Sequence, residues 1–446
     1  MAPRMDAGGD EAQPVPELGA PRAPVDPELE GANRLLSQDR SYRMLEAFLS
    51  ERGWELLDSR AAQVLYRPTR ACTVRYSVRA RRGAGTPRHL TLSATSRRTP
   101  WEIEGMWEAA SSEAAGSEVR RPLAELDDGI LLWAWPFDPR LPGLAAATRG
   151  PIVREALELQ RPAACSVSAL RYRPGQRAAL RYSILGRGGR RQTLFAKVVS
   201  DGAMGRIFDA YATFRGLEVD LAEPSTADRL PGVALFPAMA GHNLRDLIED
   251  GGMLPSPGRL VEVIEQLAEV DWIGEAQDAA TGNVIRTSGR LLAHLLPHRA
   301  SEIRDAYRLM SELASHPLPD LTVHGDFYEG QVFVRPDFSI GLIDLEDGGP
   351  GDPLMDAANL LAHMDVIHYY EPSLRGRSMA YRQLLRDEML RRMGGSEAEL
   401  DWREAACLFL LATGPFRVQS TRWPSQTEEL LDWALDLLSP VALAAA

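Results

Sequence analysis

An internal repeat constrains the fold of this chain more than any other feature of its sequence. The tripeptide Tyr-Arg-Pro at residues 66–68 recurs at 172–174, and Arg-Tyr-Ser at 75–77 recurs at 181–183, so both pairs are 106 residues apart. Each copy reads as a strand, a proline-containing turn and a second strand with alternating side chains, followed by a glycine-bearing turn and a third strand. Chance recurrence is the alternative. The simplest explanation is a duplicated β-rich lobe of roughly a hundred residues, the size of one folding unit.

Beyond Gly241 the apolar residues take the spacing of amphipathic helices. Six segments have this spacing: 244–248, 260–270, 291–313, 379–393, 397–411 and 427–438. Pro297 predicts a kink in the third of them, because a proline inside a helix removes a backbone hydrogen bond. Only residues 321–344 interrupt this half with strand-like runs. A small β lobe followed by a mostly helical lobe predicts an α+β fold with a cleft between the lobes.

These patterns divide the chain into four regions. Residues 1–35 are rich in Pro, Ala, Gly and acidic residues and lack apolar periodicity, so we expect a disordered tail. Residues 36–150 are expected to form an N-terminal cap domain, built on a degenerate copy of the β-rich lobe. Residues 151–240 are expected to form the second copy, and residues 241–446 the helical lobe.

Composition indicates the compartment and disfavours some functions. The contents of 45% hydrophobic and 25% charged residues are those of a globular protein. A net charge of −12 argues against a general nucleic-acid binder. Three widely spaced cysteines form neither a metal-binding pattern nor a disulfide framework. The strongest apolar run, 405–412, is too short to cross a bilayer, and the N-terminus has no apolar signal region, so we expect a cytoplasmic protein without membrane or nucleic-acid partners.

The residues that suggest chemistry are concentrated between 321 and 356. Two short apolar runs, 332–334 and 340–343, predict two strands joined by a turn. Four polar residues flank these runs: His324, Asp326, Gln331 and Asp344. Pairing of the strands would bring an acid on the entering loop close to an amide and to a second acid that leaves the hairpin. Phosphoryl transfer needs such a carboxylate facing the acceptor hydroxyl, and oxygen ligands for Mg²⁺ on the nucleotide phosphates.

Each of these residues has an expected role. Asp326 accepts or orients the proton of the acceptor hydroxyl, because positioning matters more than basicity in phosphoryl transfer. Asp344 is the main carboxylate ligand of the metal, and the amide oxygen of Gln331 is a second ligand. His324 is expected to brace the loop through hydrogen bonds. Asp352 is expected to cap the helix that follows it.

Residues 324–331 (His-Gly-Asp-Phe-Tyr-Glu-Gly-Gln) resemble the catalytic loop of the aminoglycoside phosphotransferase family, a branch of the protein-kinase-like fold. Residues 343–347 resemble the metal-binding segment of that family, and 351–353 the segment after it. The family usually has Asn where this chain has Gln331, and Gln is similar to the maltokinase-like sugar kinases. The resemblance covers about residue 165 to the C-terminus. It implies a bilobal protein-kinase-like fold, preceded here by the degenerate duplicate lobe, and it implies ATP and Mg²⁺ as cofactors, with GTP left open.

The resemblance also assigns residues that bind the nucleotide. Lys197 stands inside an apolar strand and matches the lysine with which the family contacts the nucleotide phosphates. Asp209 on the next helix is its candidate acidic partner. Aligning residues 90–96 with 194–200 places Ser93 opposite Lys197, so the first copy of the lobe is expected to be non-catalytic.

Two further segments of the second copy are expected to meet the nucleotide. Arg177 lies in the turn 173–177, where the fold places a loop over the phosphates. Met239 lies in the segment 236–240, the expected hinge that contacts the adenine through backbone groups. Both assignments follow from the order of segments in the family.

The leading hypothesis is a kinase that phosphorylates a hydroxyl group of a sugar, an aminoglycoside or a related small molecule. Glu329, Asp347 and Asp365 are expected to contribute to an acidic floor that favours a cationic acceptor. The alternative is a nucleotide-binding pseudokinase or regulatory module without turnover, which Gln331 and the extra lobe motivate. The acceptor and the oligomeric state stay open.

Overall fold

The computed structural model describes residues 23–99, 101–106, 123–125, 129–159, 164–186, 189–200, 202–274, 281–314 and 321–445. Within these ranges two β-rich units precede a mostly helical unit, so the expected α+β class is confirmed. We call the described residues up to 134 the first β unit, those of 135–237 the second β unit, and those from 238 onward the helical unit. None of the helices in these ranges is both long and apolar enough to cross a bilayer.

The first β unit is an antiparallel sheet with two helices before it. The helices are α1 (Glu30–Leu36) and α2 (Gln38–Ser50), and the strands are β1 (Trp54–Arg67), β2 (Ala71–Arg82), β3 (Arg88–Arg97), β4 (Leu123–Glu125) and β5 (Ile130–Ala134). The strand order is β1-β2-β3-β5-β4, and residues 101–106 are helical. Apolar side chains of α2, including Leu45 and Phe48, are fully buried in the core that this sheet helps to form.

The second β unit repeats this plan. Helices α3 (Leu144–Ala147) and α4 (Gly150–Ala156) precede strands β6 (Ala164–Arg173), β7 (Arg177–Leu185) and β8 (Arg191–Val199), helix α5 (Ala203–Thr213), the short strand β9 (Asp220–Leu221) and strand β10 (Val233–Pro237). The sheet order is β10-β8-β7-β6, and every pairing is antiparallel. Leu141, Leu144 and Val153 pack in the core of this sheet, so the second unit begins before residue 150.

The helical unit surrounds two small sheets. Its elements are β11 (His242–Asn243), α6 (Leu244–Glu249), α7 (Pro257–Ala268), α8 (Thr281–Leu295), α9 (Ala300–Leu313), β12 (Leu321–Val323), β13 (Val332–Val334), β14 (Ile340–Leu342), β15 (Gly349–Gly351), α10 (Pro353–Tyr370), α11 (Arg375–Arg392), α12 (Glu397–Leu411), α13 (Gly414–Arg417) and α14 (Trp423–Ala445). The strand orders are β11-β13-β14-β9 and β12-β15. Strand β9 of the second β unit pairs in parallel with β14, which joins the two units beside the predicted hairpin.

Local signals placed several helix boundaries correctly. Asp352 accepts a hydrogen bond from the backbone N–H of Leu354 at 3.0 Å, so its predicted role as the cap of α10 is confirmed. The predicted segment 291–313 is divided at Pro297, because α8 ends at Leu295 and α9 begins at Ala300.

The predicted disordered tail is wrong for residues 23–35, which are folded, whereas residues 1–22 lie outside the described residues. Asp26 is buried, and it accepts hydrogen bonds from the Tyr66 hydroxyl at 2.6 Å and the Thr69 backbone N–H at 2.7 Å. A buried carboxylate that binds a distant turn orders this segment although its composition is that of a flexible chain. The contact joins residues about forty positions apart, so no local pattern announces it.

The two β units share their strand order and several side-chain contacts. The Tyr76 hydroxyl donates to the carbonyl of Leu35 at 2.7 Å, and the Tyr182 hydroxyl donates to the carbonyl of Ala147 at 3.0 Å. The ladders also correct one alignment. Thr73 pairs with Thr95, whereas Ala179 pairs with Lys197. Carried through the ladders, the 106-residue offset therefore places Thr95, and not Ser93, at the position of Lys197.

Candidate active site

The predicted catalytic loop, residues 324–331, connects β12 to β13 and is held by α10. The carboxylate of Asp356 on α10 accepts hydrogen bonds from the backbone N–H groups of His324 at 2.7 Å and Gly325 at 3.0 Å. Gly325 has φ +80°, and a Cβ there would lie 2.0 Å from the carbonyl oxygen of Asp347. Only glycine fits this left-handed position against a neighbouring backbone. The loop is therefore fixed on both sides.

His324 has the contacts expected of a bracing residue. Its ring is fully buried, and its Nε2 lies 3.0 Å from the carbonyl oxygen of Ile343, where it donates. Its Nδ1 then accepts from the backbone N–H of Asp326 at 3.3 Å. Burial lowers the pKa of the imidazole, which favours this neutral form. The ring thus ties the catalytic loop to the end of β14.

Asp326 lies among charges of both signs. The pKa of its carboxyl is raised to about 7, chiefly by burial and then by the charges of Asp347 and Asp344, whereas Arg177 and Arg173 oppose this shift. A carboxyl with a pKa near neutrality is suited to accept a proton from a hydroxyl.

Asp344 begins where β14 ends and adopts a left-handed backbone, with φ +60°. Non-glycine residues in this region are uncommon and often lie at functional sites. Its Oδ1 accepts from the Lys197 ammonium at 2.7 Å, and its Oδ2 accepts from the Gln331 amide at 3.1 Å. Burial acts to raise the pKa of Asp344, but the neighbouring charges of Lys197 and Arg177 lower it well below its usual range. The carboxylate is therefore charged.

Lys197 crosses the cleft from β8 to the helical unit. Its ammonium donates to Asp344 and to Glu346, and the guanidinium of Arg177 contacts Glu346 at 3.1 Å. The predicted partner Asp209 is not among the ion-pair partners of Lys197 in the described residues, which are Asp344 and Glu346.

The composition of the chain also sets this lysine apart. Lys197 is the single lysine of the chain, and the other 49 of its 50 basic residues are arginines. A chain that uses arginine everywhere else has kept an ammonium at this one buried position. This selectivity indicates a function that a guanidinium does not fulfil, because the two cations differ in shape and hydrogen-bonding geometry.

The side chain of Gln331 is one methylene longer than the Asn that is usual in the family, and it still reaches Asp344. The side chain is buried, and its amide nitrogen lies 3.1 Å from both Asp344 Oδ2 and the Tyr328 hydroxyl. The longer side chain therefore reaches the carboxylate, and rotation of the amide by half a turn would present its oxygen there. One carboxylate and one amide oxygen fit Mg²⁺, which commonly takes one or two protein ligands and completes its shell with phosphates and water. No cluster of three His, Cys, Asp or Glu side chains suited to a metal occurs in the described ranges.

The predicted hinge lies between β10 and β11. Met239 is partly buried, and its sulfur would lie 2.7 Å from a Cβ on Gly341, so it packs on the face of β14. Pro237, Ala238 and Ala240 are exposed. The segment thus borders the cleft, with its backbone accessible beside Met239.

The expected acidic floor is wrong for two of its three residues. Glu329 is buried 3.4 Å from Arg245, and Asp365 contacts Arg382 at 2.7 Å, so both are engaged inside the helical unit. The charge of Asp347, the third residue, raises the pKa of Asp326. The sequence interpretation gave no acceptor-side role to three arginines that interact with one another, Arg171, Arg173 and Arg417, of which Arg173 and Arg417 also interact with Asp326.

The model of a family described as the phosphotransferase enzyme family matches residues 181–393. Among solved structures, a thermostable mutant of aminoglycoside phosphotransferase APH(4)-Ia has 15% identity and a TM-score of 0.43, over 67% of this chain and 99% of that chain. Choline kinase LicA from Streptococcus pneumoniae has 12% identity and a TM-score of 0.44, over 65% and 98% of the two chains. At values this low, these similarities carry no argument about function. A comparison with curated proteins found no match.

The segment matched by the family model includes the features on which the site depends. Lys197, the loop 324–331 and Asp344 all lie within it, and the structure brings them together across one cleft. The match to the phosphotransferase enzyme family therefore spans the part of the chain in which these residues meet.

Proposed function

We propose that the protein transfers the γ-phosphoryl group of ATP, with Mg²⁺, to a hydroxyl group of a small molecule. The observation that carries this proposal is the 2.7 Å contact between Lys197 of the second β unit and Asp344 of the helical unit, which lies beside the loop that holds Asp326. A cation for phosphates, a carboxylate for a metal and a carboxylate for the acceptor thus face one cleft.

The roles of the residues follow from their positions. Lys197 and Arg177 hold the nucleotide phosphates from the sheet side of the cleft, and Asp344 and Gln331 would hold the metal from the other side. When bound there, Mg²⁺ would neutralise charge on the phosphates. The acceptor oxygen forms a bond to the γ-phosphorus, the bond to the bridging oxygen of ADP breaks, and Asp326 takes the proton of the hydroxyl.

Three further assignments remain part of the proposal. The segment around Met239 receives the base of the nucleotide, with ATP or GTP left open. The first β unit is a degenerate copy of the second, because it shares the strand order and has Thr95 where the second has Lys197. A cytoplasmic location is supported by the free thiols of Cys72, Cys165 and Cys407.

Removal of divalent metal tests the proposal. With ATP and a panel of sugars, sugar phosphates, aminoglycosides and amino alcohols, we expect ADP formation that EDTA reduces to background and that added Mg²⁺ restores. ADP release measured by a coupled assay is the readout. Turnover that survives EDTA would contradict the metal role. Nucleotide binding without turnover on any acceptor would instead favour the regulatory module.

A further inference from the structure

The cleft face of the second β sheet carries a row of cations. Residues directly opposite in antiparallel strands share a face. Arg171 pairs with Ala179, which pairs with Lys197, and Arg173 pairs with Arg177. The contacts of Lys197 and Arg177 with Glu346 show that this face is turned towards the catalytic segment.

Only part of this row has acidic partners. Lys197 and Arg177 are paired. In the described part of the chain no acidic side chain forms an ion pair with Arg171 or Arg173 of the row, or with Arg417, which lies at the end of α13 in the helical unit. The Nε of Arg173 is buried without a hydrogen-bond partner there. Guanidinium groups crowded together without counter-charges repel one another, and a bound anion relieves that repulsion.

Electrostatic interactions connect Arg173 and Arg417 to Asp326, and they connect Arg171 to both of these arginines. The pKa of Arg173 is lowered to about 9, chiefly by burial and then by the charges of Arg171, Arg177 and Arg417, whereas Asp326 opposes this shift. The pKa of Arg417 is lowered by burial and by Arg171 and Arg177, and it is likewise raised by Asp326. These groups therefore act on one another at the end of the cleft where the acceptor hydroxyl must lie.

We propose that the acceptor carries a negative charge, a phosphate or a carboxylate, which Arg171, Arg173 and Arg417 bind beside Asp326. This inference rests on the proposed function, because it assigns the acceptor side of that site. The nucleotide phosphates have Lys197 and Arg177 at the Asp344 end of the row. Of the remaining arginines, Arg173 and Arg417 interact with the carboxylate that receives the acceptor proton, and Arg171 interacts with both of them.

Sulfate is the probe for this site. The protein is first saturated with the non-hydrolysable analogue AMP-PNP and Mg²⁺, which fills the nucleotide phosphate positions, and its Tm is then measured in sulfate and in chloride at equal ionic strength. We expect sulfate alone to raise the Tm. Arg417→Gln and the exposed Arg171→Gln should each weaken sulfate binding about tenfold, the effect of losing one charged hydrogen bond. Arg181→Gln, an exposed change further along β7, is the matched control.

Three other outcomes would overturn the inference. A sulfate response equal to that in chloride, or equal in wild type and Arg417→Gln, means that the cluster binds no anion. Turnover that prefers a cationic aminoglycoside over sugar phosphates and sugar acids also contradicts it. If Arg417→Gln raises KM for ATP instead of KM for the anionic acceptor, the cluster serves the nucleotide. Failure to bind AMP-PNP refutes the proposed function, whereas the sulfate response can still be measured without it.

A second inference comes from a different observation, a buried acid before the second sheet. Asp138 Oδ2 accepts from the Tyr172 hydroxyl and from the Gly175 backbone N–H, both at 2.7 Å, and its Oδ1 accepts from the N–H of Arg140 at 2.9 Å. The indole of Trp133 in the first β unit donates to the same Tyr172 hydroxyl at 2.9 Å. These bonds fix the turn between β6 and β7, which carries Arg173 and Arg177.

The first β unit contains the same arrangement. Asp26 receives hydrogen bonds from Tyr66, Thr69 and Glu28, which stand in the same order as the donors to Asp138. The sequence Asp-Pro-x-Leu-x-Gly occurs at residues 26–31 and again at 138–143. The Tyr66 hydroxyl, which donates to Asp26, also lies 3.2 Å from Nε2 of His294 on α8.

We infer that Asp138 is a positioning residue for the turn that covers the nucleotide phosphates. Asp26, its counterpart in the first β unit, makes the same hydrogen bonds but does not have this role. The inference rests on the proposed function, and it is tested through the nucleotide because Arg177 on this turn is assigned to the nucleotide phosphates.

Asp26 provides the matched control for the test. Asp138→Asn and Asp26→Asn should both lower the Tm, because each weakens one buried turn. Only Asp138→Asn should raise KM for ATP, by about fivefold to tenfold, which is the loss of one hydrogen bond, with a smaller change in kcat. Equal ATP KM in both variants and in wild type would overturn the inference. Absence of ATP turnover in wild type would refute the proposed function instead, and the Kd for AMP-PNP would then decide the role of Asp138.

Discussion

Replacement of Asp326 by Asn is expected to lower kcat by about a hundredfold to ten-thousandfold, the range for loss of a general base. The substitution keeps the size of the side chain but removes the group that takes the hydroxyl proton. The loop itself should persist, because its anchors are Asp356, His324 and Gly325. Steady-state ADP formation with a turned-over acceptor measures the effect, and the unchanged Kd for AMP-PNP shows that the nucleotide site is intact.

The control for this variant is Asp305→Asn on the exposed surface of α9, which should keep wild-type kcat. The wild-type pH profile is a second readout. Asp326 has a raised pKa of about 7, so it is protonated below that pH and kcat/KM should rise as pH increases through it. The Asn variant should lose this rise. A variant with wild-type kcat and an unchanged profile would remove Asp326 from the mechanism.

The parts of the site that could be predicted from the sequence are those formed by residues close together in the chain. The loop 324–331 and the segment after β14 are short, and their backbone geometry restricts which residue types can occupy them. Gly325 allows close backbone approach, and Asp352 caps α10. Such features need no knowledge of the rest of the fold.

The features that the sequence did not predict are contacts between distant parts of the chain. Glu346 meets Lys197 across 149 positions of sequence, and Asp26 meets Tyr66 across 40. The arginine row depends on the register of β6, β7 and β8, because a shift of one residue would turn it to the other face. The acidic floor failed for a related reason: Glu329 and Asp365 have arginine partners on other helices. Charge counted along a sequence does not reveal which charges are already neutralised.

Replacement of Lys197 by Met is expected to lower kcat/KM for ATP by about a hundredfold to a thousandfold, as for loss of a preorganised charged donor. It also leaves Asp344 and Glu346 close together without their shared cation. Removing one partner of a buried ion pair typically costs about 3–5 kcal/mol, so the free energy of unfolding in urea should fall as well. Kinetics and urea unfolding of the same preparation separate the two effects.

Lys197→Arg is the sharper variant, because it keeps the charge and most of the stability. We expect the free energy of unfolding to recover while kcat/KM for ATP stays at least about tenfold below wild type, since a planar guanidinium does not reproduce the ammonium among Asp344, Glu346 and a phosphate. Because Lys197 is the chain's single lysine, an amine-selective acylating reagent has only this side chain and the N-terminus to modify. AMP-PNP should protect Lys197 from the reagent and leave the N-terminus reactive. An arginine variant with full activity, or acylation of Lys197 that the nucleotide does not slow, would show that the ammonium is a structural cation and that the phosphates lie elsewhere.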